Sequence, residues 1–278
     1  MKNLNVPTMV GVNIYDDITA AKLAKHGKIQ KHLQRVRIGV LQAYSNYIQS
    51  VPNVDTLVPL VVRPLHKKSL LHTYSSSTQP LKTLKDDLEK APEAARCPFC
   101  QISESSTFDH YLPKEIYPEF SVLPQNLIPC CSKCNTHKRA LIIDKNTNVR
   151  LFLHPYYDII PNVNFVKVDI SFKNKALLLS YSIYHNKKLS KDQFTHLTNH
   201  FDKLKLAQRF RKASLIDLSG MYKHFNRLAN ISPNRLKKEL LNEASKYSDW
   251  GVNYWRNVLF SELANNNDFI NGGYQSIK

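Results

Sequence analysis

Four of the five cysteines form two Cys-x-x-Cys pairs, the spacing that lets two thiolates reach one metal ion. The pairs are Cys97 with Cys100 and Cys131 with Cys134. Four thiolates at about 2.3 Å complete a tetrahedral site that leaves no open position for water. The sequence therefore predicts a structural Zn²⁺ ion, and any catalysis must use other ligands. Cys130 lacks this spacing and is predicted to be a packed neutral thiol.

Four further polar residues lie within or just after the segment that the cysteines delimit. They are Asp109, His110, Asn126 and Asn135. The 30 residues between the two cysteine pairs exceed the spacing of a zinc ribbon, which leaves room for an inserted functional hairpin. Each residue also has a structural interpretation, because a lone histidine is usually a satisfied core residue and asparagine is common in turns and helix caps. Only their order and spacing together favour a functional site.

This order of residues resembles that of the HNH endonucleases, and the four-cysteine zinc site resembles the branch of that family that includes phage endonuclease VII. The matching string runs from Cys97-x-x-Cys100 through Asp109-His110 and Asn126-Leu127-Ile128-Pro129 to Cys131-x-x-Cys134-Asn135-x-x-Lys138. It covers about one seventh of the chain. The resemblance implies a ββα finger that holds a divalent metal ion and hydrolyses phosphodiester bonds in DNA, with RNA not excluded.

The resemblance also implies a role for each polar residue. Asp109 and Asn135 would bind a catalytic Mg²⁺ or Mn²⁺ ion, since such ions prefer oxygen ligands. His110 would be the general base that takes a proton from the attacking water. Asn126, in the loop between hairpin and helix, would form a hydrogen bond with the backbone near His110 and so fix the orientation of the imidazole. Through this effect on the general base it would belong to the catalytic residues.

Two basic residues that end the matching string, Lys138 and Arg139, are predicted to contact nucleic-acid phosphates. The family often has glycine after the motif's lysine, and Arg139 adds charge there without removing a catalytic group. The string Asp109-His110-Tyr111-Leu112-Pro113-Lys114 also resembles the HNH subunits of bacterial anti-phage systems such as Septu. That resemblance implies a role in antiviral defence, with an ATPase or another defence-system subunit as a partner that restrains the nuclease.

The charge of the chain agrees with a polyanionic partner but does not decide for one. The 39 Lys and Arg residues outnumber the 22 Asp and Glu residues, which gives a net charge of +17. Residues 185–260 carry a large share of this excess and could line a nucleic-acid groove. No apolar run is as long as a bilayer span, so we expect a cytoplasmic protein with reduced thiols and no membrane partner.

Hydrophobic spacing predicts a mainly helical α+β architecture. The resemblance implies a ββα-metal (HNH, treble-clef-like) zinc finger embedded between these helical regions. The expected regions are an N-terminal helical region (1–92), a zinc-bound HNH nuclease module (93–160), and a small β-hairpin with a C-terminal helical region (161–278). A long first helix is indicated by apolar residues at steps of three and four: Ile29, Leu33, Val36, Val40, Ala43 and Tyr47.

Two classes of function remain open at this stage. The first is the metal-dependent endonuclease that the resemblance implies. The second is a catalytically inert zinc finger that binds nucleic acid or recruits a partner, for which the cysteines and the basic surface are enough. Retention of Asp109, His110 and Asn135 favours the endonuclease.

Overall fold

The computed structural model describes residues 1–144 and 147–277, which form two compact units. One unit comprises Asn3–Ile159, and the other comprises Met1–Lys2 with Ile160–Lys278. The domain bounds expected from the sequence stay a prediction. In the structure, the N-terminal helices and the cysteine segment belong to the same unit.

Five α-helices lie in the unit of residues 3–159. They are α1 (Gly11–Ala20), α2 (Leu23–Ser50), α3 (Pro64–Ser75), α4 (Gln79–Glu89) and α5 (Ser132–Lys138). The predicted long helix is confirmed as α2, whose apolar stripe buries Leu33, Val40 and Tyr47. Proline stands in the first turn of α3, where its missing N–H group would have no partner inside the helix.

A short antiparallel pair of strands precedes α5. Strand β1 (Thr107–His110) pairs with β2 (Leu127–Cys130), so that Asp109 lies opposite Ile128 and His110 opposite Leu127. Residues 111–126 connect the strands and contain two 3-10 turns, Pro118–Phe120 and Pro124–Asn126. Because α5 begins two residues after the end of β2, the second strand of the hairpin leads directly into the second cysteine pair.

The connection between β1 and β2 packs against α2. The ring of Tyr47 lies 5.0 Å from that of Phe120, centroid to centroid, and Tyr44 stacks on the same ring at 6.3 Å. Both tyrosines and Phe120 are buried. The core of this unit is therefore shared between the N-terminal helices and the loop that follows β1.

The other unit contains the predicted hairpin and a set of helices. Strands β3 (Val166–Lys173) and β4 (Ala176–Ile183) are antiparallel, and the two turn residues Asn174 and Lys175 both have positive φ, as a type I′ hairpin requires. The helices are α6 (Lys191–Lys203), α7 (Leu206–Ile231), α8 (Pro233–Ser245), α9 (Trp255–Asn265) and α10 (Asn267–Ile270). The mainly helical α+β class is thus confirmed. Among the described residues, no helix has the length and apolar character to cross a membrane.

Candidate metal centre and adjoining polar cavity

The four cysteines of the two Cys-x-x-Cys pairs meet in the interior of the first unit. Their Sγ atoms all lie within 4.8 Å of one another, and all four residues are buried. The Sγ atoms of Cys100 and Cys131 are 3.8 Å apart. A tetrahedron with metal–sulfur bonds of about 2.3 Å has edges of about 3.8 Å, so the cluster fits one Zn²⁺ ion.

Local backbone geometry explains why each pair converges. After the first pair, the Gln101 N–H donates to the Cys97 carbonyl at 2.8 Å, and Gln101 takes a positive φ of 54° that closes the turn. Cys131 is the N-cap residue of α5, and its Sγ accepts the Cys134 N–H at 3.4 Å. Such N–H···S bonds stabilise the negative charge of a thiolate.

Cys130 lies outside this cluster, as predicted. It is fully buried at the end of β2, and burial raises the pKa of its thiol. A neutral packed thiol is the consequence.

A cavity of about 390 Å³ opens beside the hairpin and is lined by three of the predicted polar residues. Asp109 and His110 reach it from the end of β1, and Asn135 reaches it from α5. Arg139, which is exposed just after α5, also lines this cavity. The structure thus brings together the predicted ligand pair, the predicted base and one of the predicted phosphate contacts.

His110 is held as a neutral imidazole of one tautomer. Its Nε2 lies 2.9 Å from the carbonyl oxygen of Ser121, and a carbonyl only accepts, so Nε2 carries the proton and Nδ1 is the acceptor. Burial lowers the pKa of His110 to about 3, against a smaller opposing effect of the Ser121 carbonyl. The ring of Tyr74, at the end of α3, covers the imidazole edge-to-face at 4.4 Å.

Asp109 is buried and faces the ammonium group of Lys138. The Asp109 Oδ2 atom lies 2.9 Å from Lys138 Nζ, but it makes no well-oriented hydrogen bond in the described part of the chain. Burial raises the pKa of Asp109 to about 6, and the charge of Lys138 works in the opposite direction. A buried carboxylate with unused acceptor capacity at a cavity is a group that a cation can satisfy.

Lys138 is not placed for the phosphate contact predicted from the sequence. Its side chain is only 1% exposed. The Nζ atom donates to the carbonyl oxygens of His110 and Tyr111 at 3.0 and 2.8 Å, besides its ion pair with Asp109. A buried ammonium needs such partners, and here they tie α5 to the end of β1. Lys138 therefore has a structural role.

Asn135 holds α5 against β1 through its amide nitrogen. Its Nδ2 donates to the Phe108 carbonyl at 3.2 Å and lies 3.3 Å from Thr107 Oγ1. The Oδ1 atom makes no hydrogen bond to any described residue and so keeps its acceptor capacity. Because Asn135 also lines the cavity, its side chain fits the ligand role that the resemblance implies.

Asn126 lies in a different loop from the one that the resemblance implies. Its side chain nevertheless bonds the backbone near His110. Asn126 ends the 3-10 turn before β2, so it belongs to the connection between the strands and not to a loop between hairpin and helix. Its Oδ1 accepts the Leu112 N–H at 2.8 Å, and its Nδ2 donates to the carbonyls of Leu112 and Phe120 at 3.0 and 3.3 Å. Phe120 precedes Ser121, whose carbonyl holds His110.

A chain of buried polar side chains lies behind Asn126. His154 Nδ1 accepts the N–H of Tyr156 at 3.3 Å, so its Nε2 carries the proton that meets the Tyr47 hydroxyl at 3.0 Å. The Tyr47 hydroxyl lies 3.3 Å from Asn126 Oδ1. The backbone N–H of His154 donates to Asp158, which Arg150 holds through two hydrogen bonds of 2.9 and 2.7 Å. This chain supports the loop and does not reach the cavity.

Two residues of the cavity, Tyr74 and Lys114, were assigned no role from the sequence, because neither carries a local signal of function. Tyr74 covers His110, and Lys85 from α4 lies over the Tyr74 ring, with Nζ 4.2 Å from its centroid. Lys114, which forms an ion pair of 2.7 Å with Glu115, lines the cavity as well. Tyr74 precedes a polar loop in the sequence and resembles any tyrosine at a helix end; only tertiary packing places it on the imidazole.

Comparison with known proteins gives a relative but no family. The chain is similar to protein ea31 of Escherichia phage lambda, with 28% identity over a 240-residue alignment that covers 77% of this chain and 77% of ea31. No family model matches the chain, and no solved structure matches it. The similarity extends over most of both proteins, so it includes both the cysteine segment and much of the helical sequence.

Proposed function

We propose that the chain is a divalent-metal-dependent endonuclease of the HNH type that hydrolyses phosphodiester bonds in DNA, with His110 as the general base. The observation that carries the proposal is the meeting of Asp109, His110 and Asn135 in one cavity. A site of this kind needs oxygen ligands and a neutral imidazole side by side. The cysteine cluster, which fits Zn²⁺, holds the hairpin and helix that supply them.

The residues at the cavity fit a Mg²⁺ or Mn²⁺ ion. The test of fit is the buried Asp109 carboxylate, whose Oδ2 faces Lys138 Nζ at 2.9 Å without a well-oriented hydrogen bond in the described part of the chain, together with the Oδ1 acceptor of Asn135. Such ions take carboxylate and amide oxygens and keep several waters. When bound, the ion would supply Lewis-acid stabilisation of the charge that develops on the phosphate.

The tautomer of His110 defines its part in the reaction. Nε2–H stays bonded to the Ser121 carbonyl, so Nδ1 is the atom that accepts a proton from water. The carbonyl dipole then stabilises the positive charge of the imidazolium. With a pKa of about 3 the imidazole is neutral at pH 7 but is a weak base. A phosphodiester at the cavity raises that pKa, because a nearby negative charge favours the protonated ring.

Arg139 supplies positive charge at the rim of the cavity. It is exposed, and it has a positive φ of 49° directly after α5, so its side chain leaves the helix where the cavity opens. Guanidinium groups bind phosphate oxygens in bidentate fashion. We therefore keep phosphate binding by Arg139 in the proposal. Lys85 adds positive charge nearby, whereas the charge of Lys114 is balanced by Glu115.

Cleavage of supercoiled plasmid by the purified full chain tests the proposal. Reactions contain Mg²⁺, Mn²⁺ or no added divalent ion, and compare the unaltered chain with His110→Ala. Loss of a general base lowers the rate by about 10²–10⁴-fold. His185→Ala, in the other unit, is the matched control and should cut at the unaltered rate. Equal cutting by His110→Ala and the unaltered chain would remove His110 from the mechanism.

One contact favours the alternative class, an inert zinc finger that binds nucleic acid or recruits a partner. Lys138 already neutralises Asp109 at 2.9 Å, which reduces what a second cation would gain there. The two functions separate in one experiment. A chain that binds DNA but cuts it with none of the divalent ions is the inert finger, whereas metal-dependent cutting that His110→Ala abolishes is the nuclease.

The proposal includes a setting in phage-related biology and a restraining partner. Similarity to a phage protein supports the first part. A freely active nuclease damages its host, so we include in the proposal an ATPase or another defence-system subunit that controls it. Affinity purification of the full chain from its natural host, followed by the plasmid assay, tests this part. Full activity without any co-purifying subunit counts against it.

A further inference from the structure

Helix α7 carries a row of basic side chains along its exposed face. The helix buries Leu206, Phe210, Ser214, Leu218 and Phe225, which recur every three or four residues. Basic residues occupy the opposite side and are exposed: Lys205, Lys212, Lys223 and Arg227. At 100° per residue Lys212, Lys223 and Arg227 lie within about 60° of one another around the axis, and Lys205 is the N-cap residue that precedes the helix. We call them the α7 basic row.

No acidic residue interrupts the α7 basic row. The acidic residue of α7 is Asp217, which points away and is bound by Arg256 at 2.5 Å. Within the described residues, none of the four cations of the row forms an ion pair with an acid. Arg227 donates a hydrogen bond to His224 Nδ1 at 3.1 Å. Four charges held in line without counter-ions repel one another, and an external anion relieves that repulsion.

The dimensions and the remaining side chains of this face suit a nucleic-acid backbone. From Lys205 to Arg227 the axial distance is about 33 Å, close to one turn of duplex DNA at 3.4 Å per base pair. Ser219 and Gly220, near the middle of this face, are exposed and have small side chains or none. A Cβ added at Gly220 would meet nothing within 4 Å. A duplex can therefore approach the helix closely there.

A lipid surface and an acidic protein fit this face less well. Membrane-binding helices pair a basic face with a continuous apolar one. Here the exposed face has one large apolar residue, Ile216, which is 64% exposed, and the apolar side of α7 is buried in its own unit. An acidic protein surface would not need a row of cations about as long as one helical turn of DNA.

We propose that the α7 basic row is a nucleic-acid-binding surface that contacts backbone phosphates without reading sequence. It belongs to the unit of residues 160–278, whereas the polar cavity belongs to the unit of residues 3–159. The inference goes beyond the proposed function and does not depend on it, because a chain that cuts nothing could still hold DNA in this way. Phosphate contacts position a protein on a duplex and carry no sequence information directly.

Salt-dependent binding by the full chain tests this surface. The probe is a 30-base-pair fluorescein-labelled duplex, and all chains carry His110→Ala so that cleavage does not interfere. The test variant is Lys212→Gln, Lys223→Gln and Arg227→Gln. The matched control removes three other exposed lysines of the same unit, Lys173→Gln, Lys187→Gln and Lys188→Gln. Both variants change the net charge equally.

The expected result is a smaller salt slope for the test variant alone. Each phosphate contact adds about 0.9 to the slope of log K against log salt, so three lost contacts lower it by about 2.7. At 0.1 M salt this corresponds to an affinity loss on the order of a few hundred-fold. Helical circular dichroism should be unchanged, because the three side chains are exposed.

Three outcomes overturn the inference. Equal losses in the test and control variants would show that net charge alone drives binding. An unchanged slope in the test variant would place the contacts elsewhere. Binding of phosphatidylserine vesicles that depends on the α7 basic row, with DNA binding unaffected, would assign the face to a membrane. Failure of plasmid cleavage leaves all three measurements intact, so the two proposals can fail separately.

Discussion

Replacing Asn126 with alanine should loosen the connection between β1 and β2 and release His110 from its fixed orientation. Asn126 is fully buried, and its amide closes two segments of that loop on each other. Alanine leaves the Leu112 N–H and the Leu112 carbonyl without these partners. The Phe120 carbonyl loses one hydrogen bond but still accepts the Leu123 N–H at 3.3 Å.

The magnitude follows from the two orphaned groups. Each buried polar group left unsatisfied costs about 1–3 kcal/mol, so the free energy of unfolding should fall by about 2–6 kcal/mol. For a unit of this size, about 1 kcal/mol shifts the melting temperature by about 2–4 °C, which gives a loss on the order of 10 °C. Asn126→Asp should be as damaging at pH 7, because it sets a carboxylate against two carbonyls.

Gln125→Ala is the matched control for this substitution. The neighbouring Gln125 also bonds the backbone, through Nε2 to the carbonyls of Pro7 and Met9 at 3.1 and 3.3 Å. These contacts lie near the surface, where water can replace them, so we expect a cost of about 1 kcal/mol. They also lead away from His110.

Two measurements suffice. Hydrogen exchange of the peptide covering residues 111–126 reports the local opening of the loop, and ¹⁵N chemical shifts of His110 report whether Nε2 keeps its proton. We expect fast exchange and a mixed tautomer in Asn126→Ala, with neither change in Gln125→Ala. If Asn126→Ala exchanges no faster than Gln125→Ala, the amide does not hold the loop, and its positioning role is refuted.

Three further predictions concern the metal, the buried histidine and the cover of the imidazole. Metal analysis should find about one zinc per chain, lost in Cys134→Ser and kept in Cys130→Ser. Burial holds the pKa of His154 well below its usual range. As pH falls below about 6.5, the imidazole therefore takes up a proton in the unfolded chain but not in the folded one. The free energy of unfolding then drops by up to about 1.4 kcal/mol per pH unit. Melting of His154→Gln should depend less steeply on pH there, and equal slopes would contradict this. Tyr74→Ala should raise the pKa of His110 from about 3 in an NMR titration, whereas Tyr74→Phe, which keeps the ring, should not.

The sequence predicted the cysteine cluster well because its signal is local. Two ligands per turn fix their own spacing, so Cys97 with Cys100 and Cys131 with Cys134 can be assigned without a fold. Asp109 and His110 are adjacent in the sequence and lie at the end of one strand, so their proximity to each other also follows from the local sequence. Their nearness to Asn135 could be predicted only through a resemblance, since 25 residues and a long loop separate them in the chain.

Lys138 and Tyr74 show why the rest could not be predicted. A lysine at the end of a basic helix is usually solvated, and nothing in the sequence says that three oxygen atoms surround this one. Tyr74 reaches the site from a separate helix, through packing that depends on the whole unit. Burial of a side chain among distant segments has no pattern in the local sequence.

The site therefore depends on more than the segment that carries its motif. The cysteine cluster can fix the hairpin and α5 on one side, but Tyr74 and the support for Asn126 come from the N-terminal helices. An isolated fragment of residues 93–160 would keep every residue of the matching string and lose Tyr47 behind Asn126 and Tyr74 over His110. The imidazole would then be open to water, and its pKa would move back toward about 6.5. A low pKa for His110 is thus a property of the complete unit of residues 3–159.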